Sequence, residues 1–349
     1  MGYTWPDVLT GLISGDHLSA DTASWAMSEI LAGNATDVQI AGFLVALRAK
    51  GETVEELAGL AESMRDRATP ITLDPEAVDV VGSGGDRANT VNVSTMAAVV
   101  AAAAGVPVVK HGNRAASSAC GAADVLEALG VALDVRPEDQ PAVLAEAGIV
   151  FLFAPLYHPS LRHAGAARSQ LGIQTPFNFL GPLANPARPA AQAVGIANPR
   201  IAALVAGVLA RRGTRGLVFH GDDGLDELTT TTTSDIWLIR DGEIVVTTLD
   251  PADLGFAPAT PADLVGGEVA RNAAIARQTL AGEPGPVRDI VVLNAAAALL
   301  AFHGPDLGRD VAEQLAAHVA TAAAAIDSGA ATLVLSSWAQ ATQKAVRGS

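Results

Sequence analysis

The sequence has few aromatic residues, few charged residues and almost no cysteine. Of its 349 residues, 4% are aromatic and 17% are charged, against the roughly 25% charged that is usual in globular proteins. Cys120 is the only cysteine, so a disulfide scaffold is excluded and a reducing compartment is expected. Half of the residues are hydrophobic, which is enough apolar surface to exclude a disordered chain.

Positive charge is also scarce. There are 22 Lys and Arg against 37 Asp and Glu, a net charge of −15 that argues against a nucleic-acid partner. The apolar segment 96–109 is shorter than the about 18 residues of a membrane span and contains Gly105 and Pro107, so no membrane partner is expected. Residues 1–10 lack the basic start and apolar stretch of a signal peptide, which predicts a cytoplasmic protein.

The first 70 residues predict helices only. Thr36 with Gln39, and Thr53 with Glu56, form two capping boxes, in which each pair of side chains satisfies free amides at a helix start. An earlier helix is expected over about residues 21–32. Since a domain averages about 150 residues, the chain length suggests two domains, of which this helical segment is the smaller.

A different pattern begins at residue 77, where short apolar runs alternate with helical segments. Strands are predicted at 78–81, 108–109, 149–153, 191–196 and 216–220. The alternation predicts an α/β domain with a mostly parallel central sheet that is covered on both faces. Further along, Asp241-Gly242 predicts a hairpin, residues beyond 289 predict helices, and the threonine run 229–233 predicts an extended strand or a loop.

The glycine loop 82–86 lies between a predicted strand and a helix. Glycine lets the backbone approach a ligand closely, and a helix N-terminus favours an anion, so the loop is a candidate phosphate site. Simple turn geometry explains the glycines equally well. Asn92, Ser94 and Thr95 begin the next helix, where they either cap it or contact the same anion.

Lys110, His111 and Arg114 concentrate positive charge after the second strand. Open α/β sheets bind ligands at the carboxyl ends of their strands, which favours an anion site here over a solvated surface.

Two carboxylate pairs follow the strand 216–220. Asp222 with Asp223, and Asp226 with Glu227, are hard oxygen ligands at a sheet edge and suit Mg²⁺. Spacing does not choose between the pairs, and an acidic surface turn is the alternative interpretation.

A helix is predicted to follow Pro159 and to carry Arg162, His163 and Arg168. Arg168 can pair with a carboxylate. On a regular helix His158 and Arg168 lie about 15 Å apart, so they would serve different parts of an entry path.

Taken together, these segments resemble the anthranilate phosphoribosyltransferases. The matching stretches occur in the family's order and are VGSGGDRANTVNVST, KHGNRAASSACGAADVLEALG, FAPLYHPSLRHAGAARSQLG, FNFLGPLANPA and HGDDGLDE, with the helical start QIAGFLVALRAKGET. The resemblance covers nearly the whole chain. It implies that the amine of anthranilate attacks carbon 1 of phosphoribosyl pyrophosphate and releases pyrophosphate, a step of tryptophan biosynthesis.

The resemblance also implies an architecture. The fold expected is the nucleoside phosphorylase and phosphoribosyltransferase type with a helical N-terminal domain. A helical domain of residues 1–70, joined by helices around 161–180, would pack on an α/β domain of residues 71–160 and 181–349. The family is commonly a homodimer, which is the assembly expected here.

Site residues follow from matching positions. Those implied for phosphoribosyl pyrophosphate are Gly82, Gly85, Asp86, Thr90, Asn92, Val93, Ser94, Thr95, Lys110, His111, Gly112, Asn113, Arg114, Ala115, Ala116, Ser117, Ser118 and, as a backbone neighbour, Ala122. Those implied for anthranilate are Gly82, Asn113, Arg168, His111 and His158. Ser94, Asp226 and Glu227 match the Mg²⁺ positions, with two ions expected per subunit. No residue is a certain acid or base, and Lys110 and Arg114 are expected to act electrostatically.

Three positions depart from the family pattern. Ser83 stands where Thr is usual, Arg87 where Gly is usual, and Ala122 where Ser is usual. Two other functions would require different residues. A pyrimidine nucleoside phosphorylase would carry a Lys-x-Ser-x-Gly-Gly-x-Gly loop and lack KHGNR, and a nucleic-acid-binding relative would show a basic groove and lose Arg168.

Overall fold

The computed structural model describes residues 2–74, 76–86, 88–115 and 119–348. The chain begins with four helices, α1 (Trp5–Ile13), α2 (Ala20–Ala32), α3 (Asp37–Lys50) and α4 (Val54–Asp66). Both predicted capping boxes form at the starts of α3 and α4. Helix α1 was not predicted, although the Thr4 hydroxyl caps it by accepting from the amide of Asp7.

Within the described residues, seven strands form one sheet with the order β3-β2-β1-β4-β5-β6-β7. They are β1 (Val78–Gly82), β2 (Val108–Gly112), β3 (Ile149–Phe153), β4 (Ala191–Gly195), β5 (Arg215–Gly221), β6 (Ser234–Arg240) and β7 (Glu243–Leu249). Strands β1 to β5 are parallel, and β6 and β7 add the predicted hairpin in antiparallel pairing. The mostly parallel sheet and the α/β class are therefore confirmed.

In the part of the chain that the structure describes, ten helices follow the first four. They are α5 (Val93–Ala103), α6 (Ala122–Ala128), α7 (Gln140–Ala147), α8 (Ala154–Tyr157), α9 (Gly165–Leu171), α10 (Pro199–Arg211), α11 (Val269–Leu280), α12 (Pro286–His303), α13 (Val311–Asp327) and α14 (Ala330–Arg347), with short 3₁₀ turns at 159–164, 176–178, 181–183, 251–254 and 261–264. They cover both faces of the sheet. Neighbouring strand residues point to opposite faces, so Val80 joins one hydrophobic core and Val81 the other.

The second core joins distant parts of the chain. It combines the apolar faces of α1 to α4 with α10 and with side chains of 164–184, including Ala164, Phe177 and Leu180. The segment between β3 and β4 thus leaves the sheet to pack among the N-terminal helices before it returns.

Ion pairs border this junction. Acidic residues of the N-terminal helical part form salt bridges with arginines of α10 and of the segment before β4. The pairs are Glu55 with Arg211 at 3.1 Å, Glu62 with Arg188 at 3.2 Å, and the buried Glu52 with Arg200. The pairs of Glu55 and Glu62 are half exposed, so they contribute little to stability.

Helix α12 is the central helix of the first core. By length and composition it is the one described helix that could cross a membrane, and α13 with α14 passes that test only as a pair bent by 67°. Of the apolar window in α12, 67% is buried inside the protein. A helix that is apolar on all sides packs in this way at the centre of a core.

Candidate active site

A cavity of about 410 Å³ opens at the carboxyl ends of the parallel strands. Strand order reverses between β1 and β4, and α/β sheets bind ligands at such a point. Every sequence-predicted site residue that the structure describes lines this cavity: Gly82, Gly85, Asp86, Thr90, Asn92, Val93, Ser94, Thr95, Lys110, His111, Gly112, Asn113, Arg114, Ala115, Ala122, His158, Arg168, Asp226 and Glu227. The predicted Ala116, Ser117 and Ser118 lie outside the described residues.

The glycine loop after β1 forms one wall. Its backbone has positive φ at Gly84 and Gly85, and the amide of Gly84 donates to Asp226 Oδ2 at 2.6 Å. A Cβ on Gly82 would lie 2.4 Å from the same oxygen, so only glycine lets the carboxylate approach. The Ser83 hydroxyl accepts from the amide of Ala197 at 3.2 Å and ties the loop to the end of β4. Ser83 therefore makes a hydrogen bond that the hydroxyl of Thr, the usual residue of the family at this position, could also make.

The start of α5 forms the next wall, and capping does not explain its polar residues. Asn92 makes no side-chain cap; its amide donates to Cys120 O at 3.1 Å and accepts from Asn272 at 3.0 Å. The Thr95 hydroxyl is buried and has no hydrogen-bond partner among the described residues. A buried hydroxyl without a partner is costly unless a ligand completes it, which favours the ligand interpretation.

Lys110 lies deeper than predicted. Strand β2 runs to Gly112, so Lys110 and His111 belong to the strand and not to the loop after it. The buried Lys110 Nζ donates to Val80 O and, at 3.3 Å, to the Ser94 hydroxyl. Burial lowers the pKa of Lys110, while nearby carboxylates oppose that shift.

Arg114 faces outward instead. Its guanidinium bonds Asp124 at 2.8 Å and Glu127 at 3.0 Å, and these hydrogen bonds raise its pKa. Because two carboxylates already neutralise Arg114, Lys110 is the principal cation beside the glycine loop and the start of α5.

The structure separates the two carboxylate pairs. Asp222 and Asp223 accept hydroxyl hydrogen bonds from the threonine run 229–233, which is a loop. Asp226 and Glu227 are buried and line the cavity. Glu227 Oε1 accepts from the amide of Ser94 at 3.1 Å.

Asp226 and Glu227 lie close to each other and to Asp86, so negative charge is concentrated at this pair. Burial, with help from Asp86, raises the pKa of Asp226 to about 7. Burial and the neighbouring Asp226 raise the pKa of Glu227 well above its usual value. Two buried carboxylates side by side are strongly stabilised by a bound cation.

Mg²⁺ fits this donor set. Asp226, Glu227 and the Ser94 hydroxyl supply hard oxygens, and Mg²⁺ typically takes one or two carboxylates and completes its shell with water and substrate phosphate. Within the described ranges no three His, Cys, Asp or Glu side chains converge on one point, so a cage made of protein ligands alone does not occur there.

The opposite end of the cavity is aromatic and less charged. The rings of His111 and His158 meet edge to face with centroids 5.2 Å apart. His158 Nε2 donates to Ala184 O at 3.0 Å, whereas His111 Nε2 is buried without a partner in the described chain. Burial, with help from His158, lowers the pKa of His111 to about 3, so its imidazole is neutral near pH 7.

Arg168 also lies at this end. The prediction of one regular helix after Pro159 was wrong, because a 3₁₀ turn at 159–164 ends before α9 begins. Both His158 and Arg168 line the cavity. Arg168 stacks on Phe177 and makes no ion pair with any described acid, so its guanidinium can receive an anion.

Several lining residues were not predicted: Met64, Asn89, Leu161, Gln174, Phe177, Asn178, Gly181 and Pro182. Asp79, behind the cavity, was missed as well. Its two oxygens accept from the amide of His111 at 3.2 Å and from Asn185 at 2.8 Å. A charged residue inside the apolar strand Val78–Val81 was the signal that could have revealed it.

Ala122 and Arg87 are the two remaining positions that depart from the family pattern. Ala122 lines the cavity with a methyl group only. Arg87 lies outside the residues that the structure describes.

Comparison with known proteins agrees with this geometry. Residues 74–332 match the glycosyl transferase family, a/b domain, and residues 6–68 match the helical bundle domain of the glycosyl transferase family. An anthranilate phosphoribosyltransferase of Thermobifida fusca is 56% identical, over 97% of either chain. The crystal structure of that enzyme from Thermus thermophilus is 41% identical with a TM-score of 0.88, over 97% of this chain and 99% of that one. The Saccharomyces cerevisiae enzyme in complex with PRPP and Mg is 25% identical with a TM-score of 0.87, over 97% and 98%. On this evidence the chain belongs to the anthranilate phosphoribosyltransferase family.

Proposed function

We propose that this protein transfers the phosphoribosyl group of phosphoribosyl pyrophosphate to the amine of anthranilate, a step of tryptophan biosynthesis. The observation that carries the proposal is a single cavity with two unlike ends. One end gathers Lys110, Asp226 and Glu227 beside a glycine loop, and the other holds Arg168 against an aromatic wall. The charged end suits a polyanionic donor, and the aromatic end suits an acceptor that carries an aromatic ring and a carboxylate.

Phosphoribosyl pyrophosphate binds at the charged end. The loop 82–86, the start of α5 and the end of β2 provide amides, hydroxyls and the Lys110 ammonium group. The Thr95 hydroxyl, which has no hydrogen-bond partner among the described residues, supports this placement. Ala115, Val93, Thr90 and Gly112 contribute shape and backbone, and the predicted residues 116–118 continue the same segment.

Mg²⁺ is held by Asp226, Glu227 and Ser94, and when bound it neutralises charge on the departing pyrophosphate. We propose two ions per subunit. Asp226 accepts from the loop after β1, whereas Glu227 accepts from the start of α5, so each carboxylate faces a different segment of the cavity lining.

Anthranilate binds at the aromatic end. Its carboxylate pairs with Arg168, which Phe177 holds by stacking. Asn113, Gly82, His111 and His158 line the path between that carboxylate and the donor. The neutral His111 adds no charge that would compete with Arg168.

The reaction needs positioning more than acid–base chemistry. The amine nitrogen attacks carbon 1, the bond from carbon 1 to the pyrophosphate oxygen breaks, and pyrophosphate leaves with the electron pair. The aromatic amine is weakly basic, so it then loses its extra proton to bulk water when the site opens. Lys110 stabilises the growing negative charge inside the cavity, and Arg114 contributes from its rim.

Two levels of organisation belong to the same proposal. Residues 1–70, joined by 161–180, form one unit that closes on residues 71–160 and 181–349 and excludes water from the cation-like carbon. Two chains associate through the N-terminal helices, where Ile13 and Val38 are 79% and 81% exposed. The free thiol of Cys120 is compatible with a cytoplasmic protein.

A fluorescence assay tests the function. Anthranilate fluoresces, so its signal should fall when the protein, phosphoribosyl pyrophosphate and Mg²⁺ are mixed, and pyrophosphate should appear in equal amount. Omission of either phosphoribosyl pyrophosphate or Mg²⁺ is the control. A steady signal without pyrophosphate release would exclude this function.

A further inference from the structure

Helix α12 holds a buried amide behind the carboxylate pair. Between Ile290 and Phe302 its residues are apolar apart from Asn294, which is 1% exposed. This side chain lies in the core but bonds to a segment that belongs to the cavity wall. A polar group at the centre of an apolar helix is costly unless its hydrogen bonds are complete.

The Asn294 side chain forms hydrogen bonds with both backbone polar groups of Leu228. The amide of Leu228 donates to Asn294 Oδ1 at 3.0 Å, and Asn294 Nδ2 donates to Leu228 O at 2.8 Å. The second Nδ2 hydrogen bonds Ile290 O at 2.9 Å. The side chain therefore uses its acceptor and both donors, and the residue that it clamps directly follows Glu227.

The neighbouring peptides are fixed by other contacts. The carbonyl of Asp226 packs against Gly195, where a Cβ would lie 1.7 Å from the oxygen. The Thr229 amide donates to Ser234 Oγ at 3.1 Å, and its hydroxyl donates to Asp223 at 2.7 Å. The segment 226–229, which carries the two carboxylates, is therefore held by Asp223 and Ser234 at Thr229. Asn294 holds it at Leu228.

We infer that Asn294 is a positioning residue for the Mg²⁺ site and acts through the backbone of Leu228. The inference rests on the proposed function, which assigns the metal to Asp226 and Glu227. Without the clamp, the buried amide and carbonyl of Leu228 lose their partners, and the segment 226–229 moves to pair them elsewhere. Glu227 then leaves the geometry that a small octahedral ion requires.

The test measures Mg²⁺-dependent binding of phosphoribosyl pyrophosphate by calorimetry. In Asn294→Ala the Mg²⁺ concentration at half-maximal binding should rise about 10- to 100-fold, as for other groups that support a metal ligand. The KM for anthranilate at saturating Mg²⁺ and phosphoribosyl pyrophosphate should change less than about twofold, since that end of the cavity is untouched.

Leu293→Ala is the matched control. Leu293 is fully buried on the same helix, so its truncation should lower the unfolding temperature without changing the Mg²⁺ midpoint. If Asn294→Ala lowers the unfolding temperature in the same way and leaves the midpoint at the wild-type value, Asn294 is only a core residue and the inference is wrong.

Two further variants complete the design. Asn294→Gln keeps the amide but is one methylene longer, so it should fold and still raise the Mg²⁺ midpoint if Asn294→Ala does not fold; an unchanged midpoint there overturns the inference. Asp226→Asn tests the metal assignment itself. If it leaves the midpoint unchanged, the proposed metal site fails, whereas a shift in Asp226→Asn without one in the Asn294 variants rejects only the positioning role.

Discussion

The guanidinium of Arg168 lies over the ring of Phe177, with 4.9 Å from its central carbon to the ring centroid. The ring fixes the plane of the guanidinium and leaves its N–H groups free of any described carboxylate. An arginine held in this way is prepared for bidentate pairing with a planar carboxylate.

Arg168→Ala should therefore impair the use of anthranilate selectively. A hydrogen bond to a charged group contributes about 1.5–3 kcal/mol, so the KM for anthranilate should rise about 10- to 100-fold. Steady-state kinetics with each substrate varied in turn measures the effect. Arg162→Ala, which removes an exposed arginine outside the cavity, is the control. Equal losses for both substrates would argue against this role for Arg168.

Asp226→Asn should raise the Mg²⁺ requirement. The substitution removes one ligand charge but keeps the side-chain shape beside Gly82, so the midpoint of the Mg²⁺ titration should rise at least about tenfold. Activity assays across Mg²⁺ concentration measure it. The exposed Asp241→Asn in the β6–β7 hairpin controls for the loss of one negative charge, and an unshifted titration would remove Asp226 from the metal site.

Gly82→Ala should weaken the binding of phosphoribosyl pyrophosphate. The new methyl group would lie 2.4 Å from Asp226 Oδ2, so either the carboxylate or the glycine loop must move. Calorimetry at saturating Mg²⁺ should show at least about tenfold weaker binding, a loss of about 1.4 kcal/mol. In Gly165→Ala the methyl group meets open space, so this variant should bind as the wild type does. Normal binding by Gly82→Ala would show that the close approach is dispensable.

Asp79 should make stability depend on pH. Burial raises its pKa to about 6, above the unfolded value of about 3.9. Because the folded state holds this proton more tightly, the stabilisation is complete below about pH 4 and is lost as the pH rises through about 6.

The comparison with Asp79→Asn isolates that contribution. Between pH 4 and pH 7 the unfolding free energy of the wild type should fall by about 2 kcal/mol relative to the variant, since a pKa shift of one unit corresponds to 1.36 kcal/mol and part of the effect is already lost at pH 4. Denaturant titrations across this range measure the difference. A difference that stays constant with pH would mean that Asp79 remains ionised in the fold.

Local signals in the sequence predicted local structure well. The capping boxes at Thr36 and Thr53 depend on neighbours three residues away, so they could be read without the fold. The strands were predicted too short where polar residues are buried. Lys110 and His111 belong to β2 because they pair with Phe151 and Leu152 of β3. The carbonyl of Val80 accepts from Lys110 Nζ, and Asp79 accepts from the amide of His111, so these polar groups are satisfied inside the sheet.

Relationships between distant residues were harder to predict. The sequence placed both carboxylate pairs at one sheet edge, and only tertiary contacts separate them, since threonine hydroxyls occupy Asp223 while Asp226 meets the amide of Gly84. The break before Gly165 and the clamp of Asn294 on Leu228 likewise depend on packing between segments that no short motif connects.

The N-terminal helices and residues 164–184 share one hydrophobic core, so no single point in the sequence separates two independently folding parts. A fragment that ends after residue 70 would encode helices without the apolar partners supplied by Leu180 and Phe177. A fragment that begins there would expose those partners to water. Recombination among relatives should therefore succeed when both stretches are inherited from one parent, and fail when they are mixed.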